Sequence, residues 1–269
     1  LRANSRIMLP LFLLAALLSV LGGLSARFLN AVQDSLFLKI VFGMFIAIFV
    51  LAISLMALLC LIYMVQRFYE TIAGREAYLT LNLPVSIDGH ICSKLLTAMI
   101  WSILTMFVTI AVIAIFLLVS AGSKPFEMLS MVYFEVKAKI AMMGIGNAEI
   151  ALLMFEVIIM AVIQLMASYL IIYTSIAIGQ QSTEKKLGSS IAAFAGISVI
   201  TNIAGNLVTS GVARYVGDFS QVFECQNASF DLIKFTTPIF LSFIGFGIAQ
   251  CLVYYFVSSW ILKTKLNLS

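Results

Sequence analysis

Site chemistry needs groups that carry a proton, a charge or a reactive bond, and this sequence offers few of them. His90 is the single histidine, so neither a histidine-rich zinc set nor a Ser–His relay can be assembled around it. It reads as an interfacial residue at the start of an apolar run. No Gly-x-x-x-x-Gly-Lys-Ser/Thr loop occurs, so ATP is not expected to bind this chain at a Walker-type site. Cys60, Cys92, Cys225 and Cys251 show no disulfide framework and read as packed or free thiols. Glu156 is the charged residue nearest the interior of an apolar run, where a carboxylate is costly and often functional. It also lies near the expected end of that run, within reach of the interface. Gln164, deeper in the same run, is a candidate for hydrogen bonding between helices. Asn202 and Asn206 are four residues apart and Ser198 continues their face. That face should meet protein or water, either as part of a translocation path or dimer face, or by close packing through small residues such as Ala192 and Gly196. Gly245 and Ala249 form a second small pair of the same kind.

The elements that hold these residues follow from composition. The chain has 269 residues, 62% of them hydrophobic and 10% charged, with a mean hydropathy of +1.11. Soluble domains carry about 25% charged residues, so this chain could not cover a water-facing surface. The net charge of +4 is dispersed and gives no footprint for nucleic acid. A helix crossing about 30 Å of hydrocarbon needs roughly 20 mainly apolar residues. Six stretches between charged residues reach that length, and they place spans at about 7–26, 42–65, 96–119, 152–179, 189–212 and 237–261. Runs such as Ile158 to Ile163 are apolar on every side, unlike the alternating strands of a barrel. The reading is a single all-α, polytopic membrane domain over 1–269 with six transmembrane helices.

Six spans put both termini on one side of the membrane. Arg2, Arg6, Arg67, Arg75, Lys94, Lys185, Lys186, Lys263 and Lys265 fall on that side, and seven basic residues fall opposite. Several of the nine sit tight against span ends, where positive charge selects the cytoplasm. Both termini are therefore expected inside. A signal peptide over residues 1–26 fits poorly, because the apolar run is long and Leu24-Ser25-Ala26 lacks the small-x-small cleavage pattern. The chain opens on Leu1, and further residues are expected upstream.

The connection 67–94 is far longer than the 2–8 residues that join helices in a bundle. Phe68 and Ile72 would share a helix face, and Gly74 can end that turn. Leu79 to Leu83 alternates apolar with polar, Pro84 breaks what precedes it, and Asp88 falls in the first turn of the third span, where the helix dipole favours an acid. An amphipathic segment on the headgroups and a docking element for a cytoplasmic partner both fit.

Two blocks and the tail carry a resemblance. The first is Tyr69-Glu70, Gly74, Tyr78-Leu79-Thr80-Leu81-Asn82-Leu83-Pro84-Val85-Ser86 and Ser93-Lys94-Leu95. The second is Tyr173-Thr174-Ser175-Ile176-Ala177-Ile178-Gly179-Gln180 followed by Lys185-Lys186, and the tail is Lys263 to Leu268. In these blocks and in its six-span layout the chain resembles the permease subunits of type 2 ATP-binding cassette exporters, of the firmicute-like kind. The motifs cover about 50 residues, and the layout covers the whole chain. The resemblance implies a multi-pass protein of a bacterial cell membrane that forms a path with a second copy or a similar subunit. It implies no catalysis in this chain and no cofactor or metal, since hydrolysis would reside in a separate cytoplasmic ATPase. It makes 67–94 the coupling element, with Glu70, Gly74, Glu76, Leu83 and Pro84 at the ATPase contact. Many relatives carry an acid-Gly pair where this chain has Gly74-Arg75-Glu76.

Two segments on the opposite side are too long for turns. In 121–149, Phe126, Leu129, Tyr133, Val136 and Ile140 form a helical stripe, which suits an interfacial helix lying flat. By resemblance, 211–236 would form short re-entrant pieces. Asn227-Ala228-Ser229 is a glycosylation sequon by pattern alone. The competing functional reading is a motor-independent secondary transporter or channel, a class that places ionisable groups or broken helices at mid-membrane. A sensor or assembly protein is a third.

Overall fold

In hydrocarbon a backbone amide has no partner except the chain itself, so apolar runs of this length satisfy their amides internally as helices. The computed structural model describes residues 2–31, 35–72, 87–122, 124–142, 146–181, 186–226 and 232–264. They form α1 (Arg2–Ala31), α2 (Leu36–Ile72), α3 (Ile87–Ala121), α4 (Lys124–Met142), α5 (Asn147–Gly179), α6 (Lys186–Gln226) and α7 (Leu232–Thr264), with no strand among the described residues. All but α4 are long and apolar enough to cross a membrane, which makes this an all-α, multi-pass membrane protein. The outward faces bear it out: Leu13, Leu17, Phe107 and Ile200 stand about two-thirds exposed within the chain, far more apolar surface than water tolerates.

One compact unit comprises Leu1–Gln66 and Thr97–Ala138. Here α1 runs parallel to α3: Phe12 meets Trp101 with ring centroids 6.5 Å apart, and Gly23 lies against Phe116 and Val119. Antiparallel to both runs α2, which places Phe49 on Phe116 in a stack at 4.5 Å, Cys60 Sγ 3.2 Å from the Thr105 hydroxyl, and Phe42 on Phe28 at 5.8 Å. After α3, Gly122 takes the left-handed conformation at φ +63° and its N–H returns to the Leu118 carbonyl at 2.9 Å. This glycine turn ends the span and releases the chain into α4.

The other compact unit comprises Arg67–Leu96 and Lys139–Ser269. Within it α5 packs chiefly against α7 and next against α6. The first pair is parallel: Ile163 faces Gly247 and accepts a bond from Cys251 Sγ at 3.6 Å, while Thr174 faces Tyr254. The pair α6–α7 is antiparallel, with Thr201 on Tyr254, Gly205 near Phe246 and Tyr215 on Phe235.

Small residues set the closest approaches, though not where the small-x-x-x-small pairs suggest. A Cβ on Gly247 would stand 2.6 Å from Ile163 Cγ2, whereas Gly245 and Gly196 face open space within the chain. Two residues turn a helix by about 200°, so Gly245 points away from the α5 contact that Gly247 makes. Further along, α6 continues unbroken through 211–226, where the sequence suggested re-entrant pieces. No proline interrupts it there, and residues 227–231 lie outside the described residues.

Candidate functional site

The described flanks of segment 73–86 meet α5 and α7 at one end of the second unit. Residues 73–86 themselves lie outside the described residues, and with them Gly74, Glu76, Leu83 and Pro84. Glu70 is described and exposed, on the last turns of α2.

Both flanks are well defined. Before the segment, α2 extends past the apolar run to Ile72, and Phe68, expected on a face turned to headgroups or to a docking partner, is instead 1% exposed within the chain. Its ring lies face to face on Tyr173 of α5, with centroids 3.6 Å apart and planes 2° from parallel. Tyr173 is itself 1% exposed and meets Tyr169 at 6.3 Å. After the segment, α3 begins with Asp88 in its first turn. One carboxylate oxygen of Asp88 accepts the Ser259 hydroxyl and the other accepts the Lys263 ammonium, both from α7. Ser259 and Lys263 are four apart and share a face. The pair also answers two helix dipoles, an acid at the start of α3 and a base in the last turn of α7. Three residues on from Asp88, Ile91 is fully buried.

The two receiving helices are joined to each other at the same level. The Thr174 hydroxyl lies 2.8 Å from the Leu170 carbonyl oxygen and 2.9 Å from that of Tyr254, so its proton is shared across α5 and α7. The Tyr254 hydroxyl is hydrogen-bonded to that of Thr201, which adds α6. Where α5 ends and α6 begins, Gly179 comes so close to Ser190 that a Cβ would stand 2.6 Å from its backbone nitrogen. Beside this glycine, the amide nitrogen of the buried Gln180 has no hydrogen-bond partner among the described residues, and neither has the Nε2 of His90. An apolar groove of about 370 Å³ opens between α5, α6 and α7, walled by residues such as Ile178, Ile200, Ala204, Phe246 and Val253.

Ser198, Asn202 and Asn206, the candidates for a path or dimer face, all stand on α6. Ser198 is half-buried, Asn202 and Asn206 are exposed, and the Asn202 amide donates to the Ser198 carbonyl at 2.8 Å. Its polar group is thus turned back onto α6. Gln164 is exposed on α5, and its carbonyl accepts the Ser168 hydroxyl at 2.9 Å. Among the described residues no hydrogen bond is seen between Gln164 and the α6 asparagines. Glu156 is half-buried, and its Oε2 is buried with no hydrogen-bond partner among the described residues. Among the same residues no three His, Cys, Asp or Glu side chains gather as a metal would need. Cys60 is buried, Cys251 half-buried and Cys92 exposed, all as free thiols.

The sequence reading placed Phe68 and Asp88 but missed their partners. Tyr173 stands inside the second resembling block, and Lys263 in the tail, yet no local spacing pairs them with residues so distant in the chain. Compared with protein-family models, with characterised protein sequences and with solved structures, the chain matches none.

What the arrangement can do is mechanical rather than covalent. Aromatic stacking, an ion pair and shared hydroxyl protons hold helix ends together at one level of the second unit.

Proposed function

We propose that this chain is the membrane-spanning permease subunit of an ATP-driven exporter. Two copies, or one copy and a similar subunit, enclose the path, and a separate cytoplasmic ATPase binds at 67–94. In this reading both termini are cytoplasmic, the membrane is a bacterial cell membrane, and Glu70, Gly74, Glu76, Leu83 and Pro84 meet the ATPase. The observation that carries it is the 67–94 connection: its Tyr-Leu-Thr-Leu-x-Leu-Pro-Val-Ser motif resembles the family's coupling element. Its support is that both flanks of this connection are seated on α5 and α7. Nucleotide-driven displacement of the segment would then bias two packings of the helices, and the polar face Ser198, Asn202 and Asn206, with Gln164, would line the path or the dimer seam.

A second reading has its own observation. A carboxylate oxygen buried in a span with no partner among the described residues, as at Glu156, suits an ion-coupled transporter or channel that needs no motor. One pair of experiments separates the two. Purification of the tagged chain from its native membranes is expected to bring down a stoichiometric ATPase, which is lost when 74–84 is replaced by a Gly/Ser linker. Proton- or sodium-coupled flux by this chain alone in liposomes, abolished by Glu156→Gln, would instead establish the second.

A further inference from the structure

We infer that Phe68, Tyr173, Asp88 and Lys263 are positioning residues: they fasten the two flanks of segment 73–86 to α5 and α7, so that displacement of the segment carries those helix ends with it. The inference rests on the exporter reading and says through which side chains the coupling runs.

The first fastening resists movement because it is dry and filled. Phe68 and Tyr173 are each 1% exposed and stacked at 3.6 Å, so withdrawing α2's last turn from α5 would empty a ring-sized space. The second fastening resists separation because Asp88 is held on both oxygens, by a hydroxyl and an ammonium on one face of α7. Lys263 is about half exposed, so the ion pair guides the register, while Ile91, one turn on from Asp88, and Ser258 and Leu262, beside Ser259 and Lys263 in sequence, are buried. The receiving helices are themselves joined through Thr174 and Tyr254. Residues 67–96 therefore belong to the same compact unit as α5, α6 and α7, whereas α2 up to Gln66 and α3 from Thr97 belong to the other. A pull on 73–86 enters the molecule through Tyr173 and Ser259/Lys263, not along α2 and α3 alone.

The test uses the full chain, its four native cysteines replaced, purified with its native ATPase and carrying an environment-sensitive fluorophore on a cysteine at Met154, an exposed position near the other end of α5. With the wild-type fastenings, ATP plus vanadate is expected to shift the emission. Phe68→Ala and Lys263→Ala should each leave the ATPase bound and hydrolysing, yet reduce that shift about fivefold or more, the low end of ordinary coupling factors. Phe68→Leu, which keeps apolar bulk, stands in where Phe68→Ala fails to assemble, and its shift should also fall. Lys263→Arg, which keeps the ion pair and the favourable charge at the end of α7, should restore the shift lost in Lys263→Ala while hydrolysis stays the same in both. An undiminished shift in the variants, no shift in the wild type, or loss of the bound ATPase from the variants overturns the inference while leaving the exporter reading intact. Absence of any ATPase from the wild-type preparation overturns that reading instead, and this inference with it.

Discussion

A single hydrogen atom decides how closely α1 approaches α3. At Gly23 a Cβ would stand 2.8 Å from Val119 Cβ and 2.9 Å from the Phe116 carbonyl oxygen, and the second of these is backbone that cannot swing aside. Helices in lipid gain nothing from hiding apolar surface from each other, so such close packing supplies much of their association. Gly23→Ala is therefore expected to destabilise the fold by about 1–3 kcal/mol, the usual cost of overpacking. Gly43, with nothing within 4 Å, is the control: Gly43→Ala should be neutral or stabilising, because alanine is the better helix former. Thermal unfolding of the two variants in detergent reads the difference, and equal midpoints would show that the α1–α3 approach carries no weight. Polar residues follow a different rule. The Thr174 and Ser175 hydroxyls bond carbonyls one turn back on their own helix, and only the Thr174 proton also reaches a neighbour, Tyr254. Among the described residues, Glu156 Oε2 and Thr237 Oγ1 are buried and find no such acceptor or donor.

At the level of elements, apolar run length was enough to place every spanning helix, because in hydrocarbon nothing competes with the helix for backbone hydrogen bonds. Length did not show where helices stop. Neither α2, which runs on to Ile72, nor α6, which runs on to Gln226, meets proline at the end of its apolar run, and polar residues beyond the membrane continue a helix readily. The shared face of Phe68 and Ile72 and the dipole site of Asp88 were legible in the sequence; Tyr173 and Lys263 were not, since the seating of residues 67–72 and 87–96 on α5 and α7 is a tertiary fact with no local signal. The helix α4 is the converse case. Its stripe was legible, and the structure leaves Leu129, Tyr133 and Val136 on it exposed, together with Met128, Met131 and Phe134 on other sides. If lipid covers the stripe, spin labels placed in turn from Phe126 to Ile140 should show oxygen accessibility that rises at 126, 129, 133, 136 and 140. Accessibility to an aqueous nickel reagent should peak instead near Glu135 and Lys139. A flat profile would mean that α4 stands free in water and that its apolar stripe serves something else.

Across the whole molecule, side chains settle the relative direction of helices within each compact unit but not which side of the membrane is the cytoplasm. In one unit α1 and α3 run together with α2 opposed; in the other α5 and α7 run together with α6 opposed. Direction relative to the cell is left to charge, and the proposed function takes the positive residues tight against span ends, Lys185, Lys186 and Lys263 among them, as the mark of a cytoplasmic side that would hold 67–94. That assignment is what gives a cytoplasmic motor access to the segment, so it bears the weight of the proposed function. It is tested with a chain from which the four native cysteines have been replaced, carrying one new thiol at Asn82 or at Ser123. In intact cells a membrane-impermeant maleimide should label Ser123→Cys and leave Asn82→Cys untouched until the membrane is opened. Labelling of Asn82→Cys from outside would place the connection beyond the reach of any cytoplasmic ATPase. The fastenings of Phe68 and Asp88 would then have to be read as simple packing of helix ends, and the ion-coupled reading centred on Glu156 would become the better account.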